Sequence, residues 1–198
     1  MTPTLTRQCW LFAGGSVFFA AATAPGFAVL AGAGATNLLC FIGSWFFTPA
    51  AWFQQRLTGD GDQLAWHSSA TQLAGTVLFN VSTGAALWAQ SVSGRRHLVW
   101  TPDAVGSLAF LISGVLAVAA LGAASARRDR QVTWINMVGC VAFGLSAAAA
   151  FVRLNGVTED QWLANMGTFF GALCFFVAAL LALPRFRNPS AALRQSPS

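Results

Sequence analysis

Gly43-Ser44-Trp45-Phe46-Phe47-Thr48-Pro49-Ala50-Ala51 lies in an apolar run and carries a glycine, a phenylalanine four residues on, and an alanine four beyond that. Spacing of i, i+4, i+8 puts all three on one face of a helix. The same pattern recurs as Gly15-Phe19-Thr23, Gly75-Phe79-Thr83, Gly106-Phe110-Gly114, Gly139-Phe143-Ala147 and Gly171-Phe175-Ala179. From Gly15 onward the glycines are 28, 32, 31, 33 and 32 residues apart. A fixed period of this size marks a repeat architecture, and here the repeating unit is a membrane-spanning helix.

Composition agrees. Of 198 residues, 56% are hydrophobic and 9% charged, against about 25% charged in soluble domains. That deficit leaves too little charge for a water-facing surface, and the apolar runs approach membrane-span length. All 11 basic residues are arginine. Without lysine no Schiff base can form on a side-chain amine, which excludes a retinal-type pigment. The net charge of +5 has no basic stripe with interleaved aromatics, so nucleic acid is not an expected partner. Cys9, Cys40, Cys140 and Cys174 are spread through the spans without a C-x-x-C pair and read as small packing residues.

The expected fold is all-α: a polytopic six-helix transmembrane bundle over residues 1–184, followed by a short polar cytoplasmic tail at 185–198. The spans are expected near 9–30, 37–54, 67–90, 103–124, 132–152 and 161–183, in three hairpins at about 9–54, 67–124 and 132–183. The first segment also resembles a secretory signal, with Arg7, an apolar core and Ala22-Thr23-Ala24. Pro25 at the first mature position and the shared triplet favour a retained helix. Arginine counts set the orientation. Arg7, Arg56, Arg127, Arg128, Arg130, Arg185, Arg187 and Arg194 fall on one side, and Arg95, Arg96 and Arg153 on the other. Both termini are therefore expected in the cytoplasm, in a bacterial plasma (inner) membrane.

Local signals mark two helix starts: Thr101-Pro102-Asp103, with proline in the first turn, and Thr158 with Gln161 as a capping box. Most tryptophans fall near span ends, where an amphipathic ring suits the headgroup layer.

Helices in lipid associate through close packing and buried hydrogen bonds. Gly15, Gly43, Gly75, Gly106, Gly139 and Gly171 are the expected notches. Phe19, Phe47, Phe79, Phe110, Phe143 and Phe175 are the rings expected to fill them on a neighbouring helix. A small residue, such as Ser16, Ser44 or Ser107, follows each glycine. Gly43-Ser44-Trp45-Phe46-Phe47 and Gly106-Ser107-Leu108-Ala109-Phe110 carry a G-S-x-x-F pattern that resembles the YrhK-like family, small bacterial membrane domains of paired helices. Gly75-Thr76-Val77-Leu78-Phe79 is close to it, while Gly139-Cys140 and Gly171-Ala172 depart from the serine. The resemblance implies a helical-hairpin fold and brings no activity or catalytic residue.

All acidic residues, Asp60, Asp62, Asp103, Asp129, Glu159 and Asp160, are expected in loops or at helix ends, as are His67 and His97. A proton-coupled transporter, an intramembrane metal site and a haem protein are then disfavoured. No nucleophile has a base in its span, so no enzyme, metal or cofactor is expected. The third span is the most polar: Ser69, Gln72, Thr76, Asn80 and Thr83 share one face. They are either interhelical glue or the lining of a polar pocket or path, which Asn136 and Asn165 could join. Asn37 sits at the same offset before its glycine as Asn165, and helix capping or interface hydration would also account for these three asparagines. The expected role is structural, lipid-binding or partner-binding. Membrane lipids are the expected partners, with a membrane protein or a second copy as further candidates. The alternative is a channel or facilitator for a small neutral or weakly polar solute along the third helix. A quinone-carrying redox partner ranks last, with only aromatic richness to recommend it.

Overall fold

The computed structural model describes residues 4–59 and 61–184. Asp60, Arg185, Arg187, Arg194 and the expected tail at 185–198 lie outside the described residues. Six long helices occur among them: α1 (Leu5–Thr23), α2 (Phe27–Leu57), α3 (Gln63–Ala85), α4 (Val92–Ala119), α5 (Arg127–Ala149) and α6 (Gln161–Ala182). Four of these, α2, α4, α5 and α6, are long and apolar enough to cross a membrane. Ser68, Ser69, Gln72, Thr76 and Ser82 make α3 more polar in composition, and all five are buried.

Helix ends follow local chemistry, with three departures from the expected boundaries. The first span was expected near 9–30 with an end or a kink at Pro25-Gly26, and it ends there, at Thr23. Pro25 cannot continue the ladder, and Gly26 at φ +84° turns the chain, so Phe27 to Leu30 open α2 instead. A second left-handed glycine, Gly32 at φ +83°, breaks α2 near its start. Thr158 was expected to cap α6, but it pairs with Val152 in a small antiparallel bridge. The cap is Asp160, whose Oδ1 accepts the Leu163 N–H at 2.9 Å.

The third departure matters most. Thr101-Pro102-Asp103 opens the regular α-helical segment Thr101–Ala119, with proline in its first turn as expected, but the helix itself starts earlier. α4 begins nine residues before Thr101, at Val92, where Ser91 Oγ accepts the Gly94 N–H at 3.0 Å. Arg95–Trp100 is a π-turn, and the Thr101 N–H reaches back to the Arg96 carbonyl. That wide turn redistributes the carbonyls around the missing N–H of Pro102, so the helix carries on through it. Asp103, Arg95, Arg96 and His97 therefore lie within α4 rather than in a loop or at its start.

The helices form a ring in chain order, each packed on the next, with α6 returning to α1. Within α1/α2, α3/α4 and α5/α6 the same contact recurs. A β-carbon added at Gly15 would lie 2.5 Å from Phe47, and one at Gly43 would lie 3.0 Å from Phe19. Gly75 meets Phe110 at 2.7 Å and Gly106 meets Phe79 at 3.4 Å. Gly139 meets Phe175 at 2.7 Å and Gly171 meets Phe143 at 2.6 Å. The geometry has a simple origin. Helical side chains lean toward the N-terminus, so a phenylalanine one turn after a glycine leans back to that glycine's level. In an antiparallel partner it then covers the opposing glycine. Backbones approach closely as well: added β-carbons at Gly15 and Gly43 would stand 2.9 and 3.0 Å from each other's carbonyl oxygen.

All six phenylalanines converge on the centre of the ring. Phe143 alone contacts Phe19, Phe79, Phe110 and Phe175, with ring centroids 5.3–6.3 Å apart. Most other buried residues are small or hydroxyl-bearing: Ala50, Ala51, Ser16, Ser44 and Thr76 are among them. Large aliphatics point outward, Val17, Val77, Leu108, Ile112, Val138 and Leu145 among them, as do Trp10, Trp88 and Trp162. An apolar exterior around a small-residue interior suits lipid as solvent, and the chain is a membrane protein.

Candidate functional site

A cavity of about 900 Å³ occupies the end of the ring where α1, α3 and α5 finish and α2, α4 and α6 begin. Its size is at the upper end of the range for small-molecule sites. Phe19, Phe79 and Phe143 form its floor. Phe47, Phe110 and Phe175 do not line it: each is rooted one turn past its glycine, on the side of the helix crossing away from the cavity, and together they close the axis behind that floor.

The walls are largely apolar and rich in alanine, with polar groups set among them. α2 supplies Asn37 and Cys40, α4 supplies Arg95, Trp100 and Asp103, and α6 supplies Gln161, Asn165 and Thr168. Thr23, Ser82, Thr83 and Ser146 add polar groups from the other three helices. Most of these groups are already committed. Asn37 Nδ2 donates to the Ala86 carbonyl at 2.9 Å, and Trp100 Nε1 donates to the Ala147 carbonyl at 2.8 Å. Ser146 Oγ bonds the Ala164 carbonyl at 2.6 Å and Thr168 Oγ1 at 2.7 Å.

The mouth is bordered by the 150–160 turn. Arg95 donates there to the Gly156 carbonyl at 3.0 Å and to Thr158 Oγ1 at 3.4 Å. On the outer side of that turn Arg153 and Glu159 form a two-pronged ion pair. The hydrogen bonds from Arg153 hold the Glu159 carboxyl below the usual range, and the same bonds raise Arg153.

Of the expected polar-pocket residues, the structure brings only Thr83 and Asn165 to the cavity. Gln72 and Asn80 face α2, where a ladder of polar pairs runs down the interface. Gln55 meets Ser69 at 2.5 Å, Gln54 meets Gln72 at 3.1 Å, Thr48 meets Asn80 at 2.8 Å and Ser44 meets Thr83 at 3.0 Å. Thr76 Oγ1 turns back to the Leu73 carbonyl, and Asn136 contacts Cys140 within α5. The stripe on α3 is therefore interhelical glue over most of its length. Individual bonds of this kind are worth about 0.6 kcal/mol in a membrane. Asn80 also keeps an unpartnered Oδ1. Asn80→Leu, which removes both the bond and the orphan atom, is accordingly expected to change stability by less than about 1 kcal/mol. Thermal unfolding in detergent checks this, and a shift of many degrees would contradict it.

Asp103 is the wall residue that sequence reasoning missed. Arg95, Arg96 and His97 disguise the first turns of α4 as a loop. A signal was nonetheless available. Asp103 stands three residues before Gly106, the offset of Cys40 from Gly43 and of Thr168 from Gly171.

No family model, curated protein or solved structure matches the chain.

Proposed function

We propose that this chain is a six-span protein of a bacterial inner membrane, built from three like hairpins with both termini cytoplasmic, that holds a small guest in the cavity opposite the cytoplasmic end. It is a binding protein rather than an enzyme, and a YrhK-like relationship is part of the proposal. One observation carries this reading: the cavity is blind. Six phenylalanines fill the axis behind it, so a guest can enter and be held but has no axial way through. The same filling weighs against a facilitator, as does the use of the α3 stripe in bonding α2. The arginines at the far end, Arg7, Arg56, Arg127, Arg128 and Arg130, support the orientation. Although α1 and α3 fall outside the four most apolar helices, their places in the ring support six spans.

Native mass spectrometry from lipid nanodiscs tests the proposal. The wild type is expected to carry a guest in fixed stoichiometry, and Thr168→Phe, which puts a ring into the cavity, is expected to lose it while remaining folded. A guest that persists in Thr168→Phe, or none in the wild type, would overturn the assignment.

A further inference from the structure

We infer that the cavity takes a small organic cation, an amine or quaternary ammonium group, with Asp103 as its counter-charge. The inference rests on the reading of the cavity as a guest site. The lining holds two charged residues, Arg95 and Asp103. Arg95 is spent on the 150–160 turn, through Gly156 and Thr158. It also lies about two turns nearer the mouth on the same helix. Asp103 has neither a hydrogen-bond nor an ion-pair partner among the described residues. A carboxylate inside a membrane helix is costly, and such groups ordinarily pair with a partner or mark a ligand path.

Packing does not account for this carboxylate. The two other hairpins fill the same position with Cys40 and Thr168, both uncharged and both lining the same cavity. Two uses of one design thus close without a charge, and the third adds one. What lies beneath it suits a cation too. Phe19, Phe79 and Phe143 are joined by ring contacts of 5.8 and 6.1 Å, forming a continuous aromatic floor. An ammonium group over the face of any one of these rings is attracted by its quadrupole as well as by the carboxylate. An anion would use neither feature, and a neutral guest would leave the charge of the carboxylate unbalanced.

The test uses the full chain in nanodiscs, with choline as probe and its uncharged analogue, carbon in place of nitrogen, as control. Binding is followed by calorimetry for wild type, Asp103→Asn and Asp103→Thr. The threonine variant carries the residue that Thr168 supplies in the third hairpin, so a packing compatible with the fold is retained if asparagine disturbs it. Choline is expected to bind saturably and at least about tenfold more tightly than the analogue, with the difference abolished in both variants at unchanged unfolding temperature. Equal binding of probe and analogue, unaffected by either variant, would overturn the cation assignment while leaving a neutral guest site in place. Binding of neither, with no guest in the native spectra, would overturn both.

Discussion

Gly15→Ala is expected to lower stability by about 1–3 kcal/mol, and Gly15→Leu to abolish the folded bundle. A single methyl group at Gly15 would lie 2.5 Å from Phe47 Cδ1, 2.7 Å from Cε1 and 2.9 Å from the Gly43 carbonyl oxygen. None of these can yield cheaply. Phe47 is fully buried, stacked on Phe19 at 5.3 Å and flanked by Phe12 and Phe175. Gly43 belongs to the backbone of α2. The helices would have to separate, and the reciprocal contact of Phe19 with Gly43 would open with them.

Two comparisons make the cause visible. Gly34→Ala, in α2, meets nothing within 4 Å, and Gly34 lies past the Gly32 break in helical backbone. There the gain in helix propensity should act alone, and stability should hold or rise by up to about 1 kcal/mol. Combining Gly15→Ala with Phe47→Ala removes the ring that the methyl group strikes. The pair should therefore cost less than the sum of the single changes, with a coupling of about 1 kcal/mol or more. Thermal or denaturant unfolding in detergent gives all four values. Strict additivity, or equal effects at Gly15 and Gly34, would show that close approach at Gly15 is not what holds α1 to α2.

Such contacts can be read from a sequence because they depend on short-range geometry. Four residues make one turn, and the lean of the Cα–Cβ bond fixes which level a ring reaches. Phe47 over Gly15 and Phe143 over Gly171 need no more than that, given antiparallel neighbours. Helicity of the apolar stretches was legible for the same reason. Where a helix starts was less so. At Pro25-Gly26 the local break was visible, but not that the next four residues join the following helix. At Arg95–Trp100 three charged or titratable residues imitate a loop, and only a π-turn lets the helix pass Pro102.

The facing of the α3 stripe was out of reach in a different way. Ser69, Gln72, Asn80 and Thr83 share a face by spacing, yet that face could equally have met water or α2. It meets α2 because Gln54, Gln55, Thr48 and Ser44 offer partners at matching heights. That pairing joins residues up to 39 apart and belongs to tertiary packing. The cavity wall had the same difficulty: its residues come from all six helices, and Asp103 was identifiable only by aligning the period on Cys40 and Thr168.

Phe143→Ala should cost about 3 kcal/mol, near the lower end of the usual range for phenylalanine truncation in a core. The lower end is appropriate because the unfolded reference in a membrane is itself surrounded by hydrocarbon. Transfer free energy largely cancels, leaving lost dispersion and an unfilled void. Both are large at this position. Phe143 is 4% exposed, stacks on Phe175 at 5.3 Å, touches three more rings and covers Gly171. Phe170→Ala gives the contrast: that ring is 57% exposed on the outer face of α6, and its loss should stay within about 0.5 kcal/mol. The same variant also probes the blind end of the cavity. Removing Phe143 deepens the floor, but Phe110 and Phe175 remain in contact at 5.7 Å and Phe47 in contact with Phe175 at 6.1 Å. Liposomes carrying Phe143→Ala should therefore stay as tight to small solutes as those carrying the wild type. Flux through the single variant would mean that one layer of rings was the only closure, and a gated path would then replace the blind cavity.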